Sequence, residues 1–311
     1  MTSRARVFTL LRLAVSVAVL LIVLWLVDAG AVVTRLGMMH PAWVILALAI
    51  SVAQVAGSAW RWRFTAARLR LELPFIVAVR EYYIATFLNQ VLPGGVTGDI
   101  SRAWRHARWQ QPGDTGTVVR AVILERASGQ VVMTAVALVS VISILMSLGL
   151  ARPLALVMPV ASLGIGAGVL VWLTRRPRSR DSLSGRVWDD TNAALFGGNA
   201  FVVQIGSSVL VVASYVLTYL VAARAVGIDT PVLTLLPLVA PVLVSMLLPV
   251  TIAGWGVREA VAAALWTSAG LTAVEGVVVS VGYGLLVLLG SLPGAVILLG
   301  QTPRVPRPSH S

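Results

Sequence analysis

The residues best suited to chemistry lie at two interruptions of otherwise apolar sequence. The first reads LPGGVTGDISR, residues 92–102, and carries Asp99 and Arg102 behind Pro93, Gly94 and Gly95. The second reads LLPVTIAGWGVREA, residues 247–260, and carries Arg258 and Glu259 behind Pro249, Gly254 and Gly256. A guanidinium is a planar fork of donors that can grip a phosphate bidentately. A proline ends a helix, and the half-helix that follows presents free N–H groups and a partial positive charge. Together these are anion-binding parts. In the first interruption Pro93 ends one half-helix, Gly94 and Gly95 turn the backbone, and Asp99 or Ser101 can cap the next.

The two interruptions share a spacing. Each has Leu-Pro, four residues, Gly, three residues, Arg: Leu92, Pro93, Gly98 and Arg102 against Leu248, Pro249, Gly254 and Arg258. Each also sets one carboxylate near its arginine. Similar broken elements in the two halves of a chain, entering a membrane from opposite faces, are the mark of inverted-repeat transporters, whose substrate site lies between the breaks.

Other polar residues have two readings each. Arg102, followed by Arg105 and Arg108, is either a substrate contact or one more cytoplasmic anchor. Arg258 lies between two apolar runs, so the anchor reading fits it less well. Glu125 and Arg126, in AVILERASG, open the third apolar span, either as a local pair or as part of a cavity wall. Asn89 terminates a helix or lines the site. Gln54, Gln204, Tyr215 and Tyr219 have the character of interhelical glue.

The elements that must position these groups are membrane helices. Hydrophobic residues make up 58% of the 311, only 12% are charged, and the mean hydropathy is +0.90. That excludes a soluble domain. Several runs reach the roughly 20 residues that span a bilayer. Every basic residue is arginine, the net charge is +12, and the arginines cluster between apolar runs as anchors at an anionic cytoplasmic leaflet do. Nucleic-acid binding has no soluble domain to carry it. With no cysteine, disulfides and thiolate chemistry are excluded.

Arginine clusters at 4–12, 61–70, 102–108 and 175–186 divide the chain. The N-terminal run Leu10–Val27 reads as a retained first span, ending near Trp25 and Asp28. The second runs from Trp43 to Arg63. Phe75–Gly95 is flanked by basic clusters on both sides, so it is read as a hairpin that enters and returns. Arg80 and Glu81 inside it would cost ~2.5–3.5 kcal/mol each if they faced lipid, so they need protein or water. Val131–Leu150, Pro153–Leu173, Phe201–Ala222 and Ala273–Leu299 complete the crossings, and residues 175–190 form a basic cytoplasmic loop. The tryptophans sit near span ends as interface anchors. The expected fold is all-α and polytopic, with about six full transmembrane helices and two broken or re-entrant hairpins in an inverted repeat. It is a single integral membrane domain over 1–311, with pseudo-repeat halves 1–150 and 151–300 and a polar cytoplasmic tail at 301–311. Both termini are expected in the cytoplasm of a multi-pass inner or plasma membrane protein.

FLNQVLPGGVTGDISRAW, AVILERASG and LLPVTIAGWGVREAVAAAL resemble the three signature regions of the lysylphosphatidylglycerol synthase transmembrane region family, in order and over nearly the whole chain. The resemblance implies an inner-membrane protein that moves or binds a lipid with a polar head. The matching positions are Asn89, Pro93, Gly94, Gly95, Gly98, Asp99 and Arg102 in the first region. Glu125 and Arg126 match the second, and Pro249, Gly254, Gly256, Arg258 and Glu259 the third. The bifunctional synthases of the family carry a soluble aminoacyltransferase domain; this sequence shows none, so synthase activity is not expected.

Three functions compete. The first is a flippase-like translocator that binds the anionic head group of a phospholipid or polyprenyl-phosphate-linked sugar. The second is a membrane-embedded lipid-modifying enzyme, with Asp99 or Glu125 as base. Against it, there is no H-E-x-x-H and no carboxylate pair at ligand spacing, and His40, His106 and His310 fall in expected loops. The third is a non-transporting scaffold, whose partner would be a glycosyltransferase or other lipid-synthesis enzyme. The sequence calls for no metal or other cofactor, and for membrane lipid as the partner.

Overall fold

A computed structural model describes residues 3–92, 95–111, 113–147, 149, 183–247 and 251–300, with side chains from Leu13 onward except at 183 and 184. Pro93, Gly94 and Pro249, the expected span Pro153–Leu173 and the tail 301–311 lie outside the described residues. All regular elements among the described residues are helical.

The helices are α1 (Ser3–Leu26), α2 (Ala29–Gly37), α3 (Pro41–Arg68), α4 (Phe75–Val91), α5 (Thr97–Ala107), α6 (Thr115–Ser147), α7 (Leu183–Thr191), α8 (Ala200–Ala225), α9 (Val232–Ser245), α10 (Val257–Ser268) and α11 (Ala273–Gly300). A π-helical turn, Asn192–Phe196, follows α7. Helices α3, α6, α8 and α11 are each long and apolar enough to cross a membrane. The α1–α2 pair, bent by 99° at Val27–Asp28, makes a fifth if its two arms form one span. The Asp28 carboxylate caps α2 by accepting from the Ala31 N–H at 3.1 Å. The fold is an all-α polytopic membrane fold. Exposed Leu21, Ile45, Val139, Val202, Leu210 and Val296 give it an apolar surface far beyond what a soluble monomer shows.

Both interrupted segments are pairs of short helices. In the first, α4 has 17 residues and α5 has 11. In the second, α9 has 14 and α10 has 12. At 1.5 Å per residue the longest arm, α4, reaches only ~26 Å against a core of about 30 Å.

Each pair packs within its own apolar core. Trp62, Ala66, Ala78, Ala103, Val118 and Val122 surround the first. Tyr219, Leu235, Val239, Trp266, Val278 and Tyr283 surround the second. Helix α4 joins the two units, since α5 lies on one side of it and α11 on another. Both contacts are backbone-close. A Cβ at Gly98 would fall 1.9 Å from the Ala85 carbonyl oxygen, and one at Gly294 would fall 2.1 Å from that of Tyr83. Only glycine admits these approaches.

Several expectations are corrected here. Helix α6 begins at Thr115, so Glu125 and Arg126 lie well inside a continuous helix. Residues 183–190 of the expected loop are helical, and Asp190 pairs with Arg120 at 2.5 Å. His106 lies on α5 rather than in a loop, and its ring is fully buried against Trp62. Trp62 and Trp266 are buried core residues rather than interface anchors, in contrast to exposed Trp25 and Trp104.

Candidate functional site

The first interruption folds around a chain of alternating charges. Arg61 comes from α3, Asp99 and Arg102 from α5, and Glu125 and Arg126 from α6. Arg61 donates to Glu125 Oε1 through Nη2 at 2.5 Å and Nε at 3.1 Å, and through Nη1 to Ser208 at 3.1 Å. The other Glu125 oxygen accepts from Arg102 Nη2 at 2.6 Å. Arg102 Nε donates to Asp99 Oδ1 at 3.0 Å. Asp99 Oδ2 accepts from Asn89 at 3.1 Å and from Arg126. Arg126 also donates to the Gly95 carbonyl at 3.0 Å.

Asn89 has a second task. Its Oδ1 accepts from the Gly98 N–H at 2.8 Å, so the start of α5 is satisfied by a side chain of α4. The expected cap, Asp99 or Ser101, is not used: no side chain caps α5 from its own N-cap position, and Asp99 faces the arginines instead. Desolvating charges is expensive, and here the network repays it by giving each carboxylate two arginines.

The second interruption folds around a smaller cluster. Arg258 donates to Glu259 Oε1 at 2.7 and 3.0 Å and to Ser280 at 3.0 Å. Ser280 donates to the same Glu259 oxygen at 2.9 Å, and Glu259 Oε2 accepts from the Gly256 N–H at 2.6 Å. Adjacent helix positions normally point apart. These two meet because α10 starts only at Val257, after Gly254 and Gly256 with φ of 78° and 86°.

The two arginines are held alike. The Arg102 guanidinium lies 4.7 Å from the Trp62 ring and 4.6 Å from that of Tyr82. Arg258 lies 4.9 Å from Trp255 and 5.4 Å from Tyr283. Each is buried between a tryptophan and a tyrosine with a carboxylate in contact. The match of the interruptions stops at their helix starts, however. Helix α5 begins at Thr97, while the equivalent Ala253 lies in a turn with φ of 49°, before α10.

Between the two clusters lies a cavity of about 220 Å³. Asn89, Gln90, Gly95 and Asp99 from the first interruption line it, together with Met246, Leu247 and Ala253 from the second. Glu125 and Arg126 line it as well. Arg102, Arg258 and Glu259 do not; they stand behind the wall, as do Gly254 and Gly256. Glu125 and Arg126 pair with α3 and α5 rather than with each other.

Arg61 and Tyr82 belong to the site and carry no such role in the sequence reading, where Arg61 is a surface anchor. It is buried, 4% exposed. A signal for it exists. Ser51, Gln54, Ser58, Arg61 and Thr65 recur every three or four residues, a polar stripe on one face of apolar α3, and the first four line the cavity. Tyr82, Thr86 and Asn89 form the matching stripe on α4. Gln54 bonds Ser214 at 3.0 Å and Gln204 bonds Thr65 at 2.8 Å, as interhelical glue does. Gln54 and Tyr215 also line the cavity.

Among the described residues, no three His, Asp or Glu side chains come together as a metal site. The arrangement can hold an anion. Arg126 keeps 35% of its side chain exposed, whereas Arg61 keeps 5% and Arg102 none.

Span-length apolar helices, two helix breaks and a polar chamber between them define a polytopic membrane protein with an internal polar site. The family model for the lysylphosphatidylglycerol synthase TM region matches residues 9–294, and the chain belongs to that family. No curated protein matches the sequence.

Proposed function

We propose that this protein is a lipid translocator. It binds the anionic head group of a phospholipid or polyprenyl-phosphate-linked sugar in the chamber between its two broken segments and carries it between leaflets. The observation that supports this most is the meeting of both interruptions on one cavity with Arg126 reaching into it. A guanidinium that keeps 35% of its side chain exposed in the cavity wall, within a charge network of three arginines and two carboxylates, favours a phosphate over a neutral head. The lipid's tails remain in the bilayer beside the apolar helices. On this reading the protein is no enzyme: the two carboxylates of the cavity wall, Asp99 and Glu125, serve arginines, and neither acts as a base. It resides in the cell's inner or plasma membrane with both termini cytoplasmic.

Reconstitution tests this. Phosphatidylcholine vesicles carrying tail-labelled phosphatidylglycerol should exchange the label between leaflets with the protein present and not without it. Equal rates with and without protein would overturn the reading.

A further inference from the structure

We infer that the chamber is tuned to a head group with one net negative charge, and that Asp99 is the residue that sets this selectivity. The inference rests on the lipid reading above and narrows it to monoanionic phosphodiesters over phosphomonoester dianions and neutral heads.

The argument is a charge count over a closed network. Arg61, Glu125, Arg102, Asp99 and Arg126 form an unbroken line of alternating sign, each in contact with the next. Three arginines against two carboxylates leave one positive charge. Among the described residues lining the cavity, no charged side chain stands outside this line. The second cluster adds nothing, because Arg258 and Glu259 cancel. The other end of the line also borders the cavity but is closely held: Arg61 is 4% exposed, and Glu125 is fully buried between Arg61 and Arg102, whereas Arg126 keeps 35% of its side chain exposed. The surplus is therefore expressed at the open end, where Arg126 and Asp99 meet the cavity. A phosphodiester arriving there brings the site to neutrality. A phosphomonoester leaves it negative beside Asp99, and a neutral head leaves the positive charge uncompensated in a poorly screened interior.

Asp99 sets the count because, of the two carboxylates in the cavity wall, it is the one paired with the exposed Arg126, while Glu125 keeps no exposure. Asn89 from α4, Arg102 on its own helix and Arg126 from α6 face it, and their bonds use both its oxygens. Removing its charge while keeping its shape raises the surplus to two without removing the arginine that takes the phosphate.

The test is equilibrium binding of full-length protein in neutral-lipid nanodiscs, in alkaline buffer where phosphatidic acid carries close to two charges. The titrants are phosphatidylglycerol, phosphatidic acid and phosphatidylcholine. Wild type should prefer phosphatidylglycerol over each of the others on the order of tenfold. Asp99→Asn should reverse the order and favour phosphatidic acid, while Asp99→Glu keeps the wild-type order. Where Asp99→Asn does not fold, Gln130→Glu serves: it adds a carboxylate at a cavity-lining position one helical turn from Arg126. That variant should abolish the preference for phosphatidylglycerol over phosphatidylcholine. If wild type binds phosphatidylglycerol and phosphatidic acid equally and both above phosphatidylcholine, or both charge-changing variants keep its order, charge selection is overturned and the lipid reading stands. If wild type distinguishes none of the three, the lipid reading falls with it.

Discussion

Arg102 and Glu125 stand on different helices and meet at 2.6 Å with neither side chain exposed. This contact ties the broken segment to the long helix α6. Through the other Glu125 oxygen it extends to Arg61 on α3. Glu125→Gln should therefore destabilise the protein by about 3–5 kcal/mol, since it takes the carboxylate from buried Arg61 and leaves buried Arg102 with Asp99 alone. Glu275→Gln, on a partly buried capping residue of α11 that bonds exposed Thr272, should cost about 1 kcal/mol or less. Unfolding in detergent micelles, followed by circular dichroism, checks the difference.

Arg126 and Arg258 should separate function from folding. Arg126 reaches the cavity, so Arg126→Ala should leave the melting temperature within a few degrees of wild type and stop transfer of tail-labelled phosphatidylglycerol. The sequence alone makes Arg258 the substrate contact. Its burial against Glu259 and Ser280 gives it a holding role instead. Arg258→Ala should lower the yield of folded protein, by about 3–5 kcal/mol of stability, before transport can be measured. A stable Arg258→Ala protein that binds lipid poorly would return Arg258 to the site.

What the sequence discloses follows what repeats in it. The long apolar runs identify α3, α6, α8 and α11, and the shared proline and glycine spacing finds both interruptions. Asp99 and Arg102 are legible as a pair because three residues on a helix bring them together. Arg61 is not, because an arginine closing an apolar run looks the same whether it faces head groups or a buried glutamate. Only its partner on α6 decides, and that pairing spans 64 residues. The role of Asn89 is hidden for the same reason, since a cap delivered from the preceding helix leaves no local signature.

Gly98→Ala should be poorly tolerated. The added methyl would meet the Ala85 carbonyl at 1.9 Å, which neither backbone can relieve without separating α4 from α5. Separation would also break the Asn89 bond to the Gly98 N–H. Gly206→Ala, where nothing lies within 4 Å of the new atom, is the control and should be neutral or mildly stabilising. Yield of monodisperse protein on size exclusion is the readout.

His106 should make stability depend on acid pH. Burial lowers its pKa below the ordinary value of about 6.5, and the nearby Arg102 charge adds to that, against the Glu72 carbonyl, which raises it. The native state therefore holds fewer protons on this ring than the unfolded chain does. Its contribution is fully present above about pH 6.5 and is lost as the pH falls through the lowered value. The melting temperature should drop over that window in wild type and drop less in His106→Gln. An identical slope in both would assign the acid sensitivity elsewhere.

The last expectation concerns how the breaks act together. Gln90 and Met246 stand three positions before Pro93 and Pro249, and both line the cavity. The match between interruptions thus holds on this side of each proline, although it fails beyond. If the chamber opens to one face at a time, the two positions should take turns in contact with water. The chain has no cysteine, so Gln90→Cys and Met246→Cys each provide a single label site. In oriented vesicles an impermeant thiol reagent should reach one of them from the cytoplasmic side and the other from the opposite side. Adding phosphatidylglycerol should speed one reaction and slow the other, because a lipid that shifts the population toward one open state must deplete the other. If both cysteines react from the same side, or neither rate responds to lipid, the chamber does not alternate, and the two breaks serve a site with a single entrance.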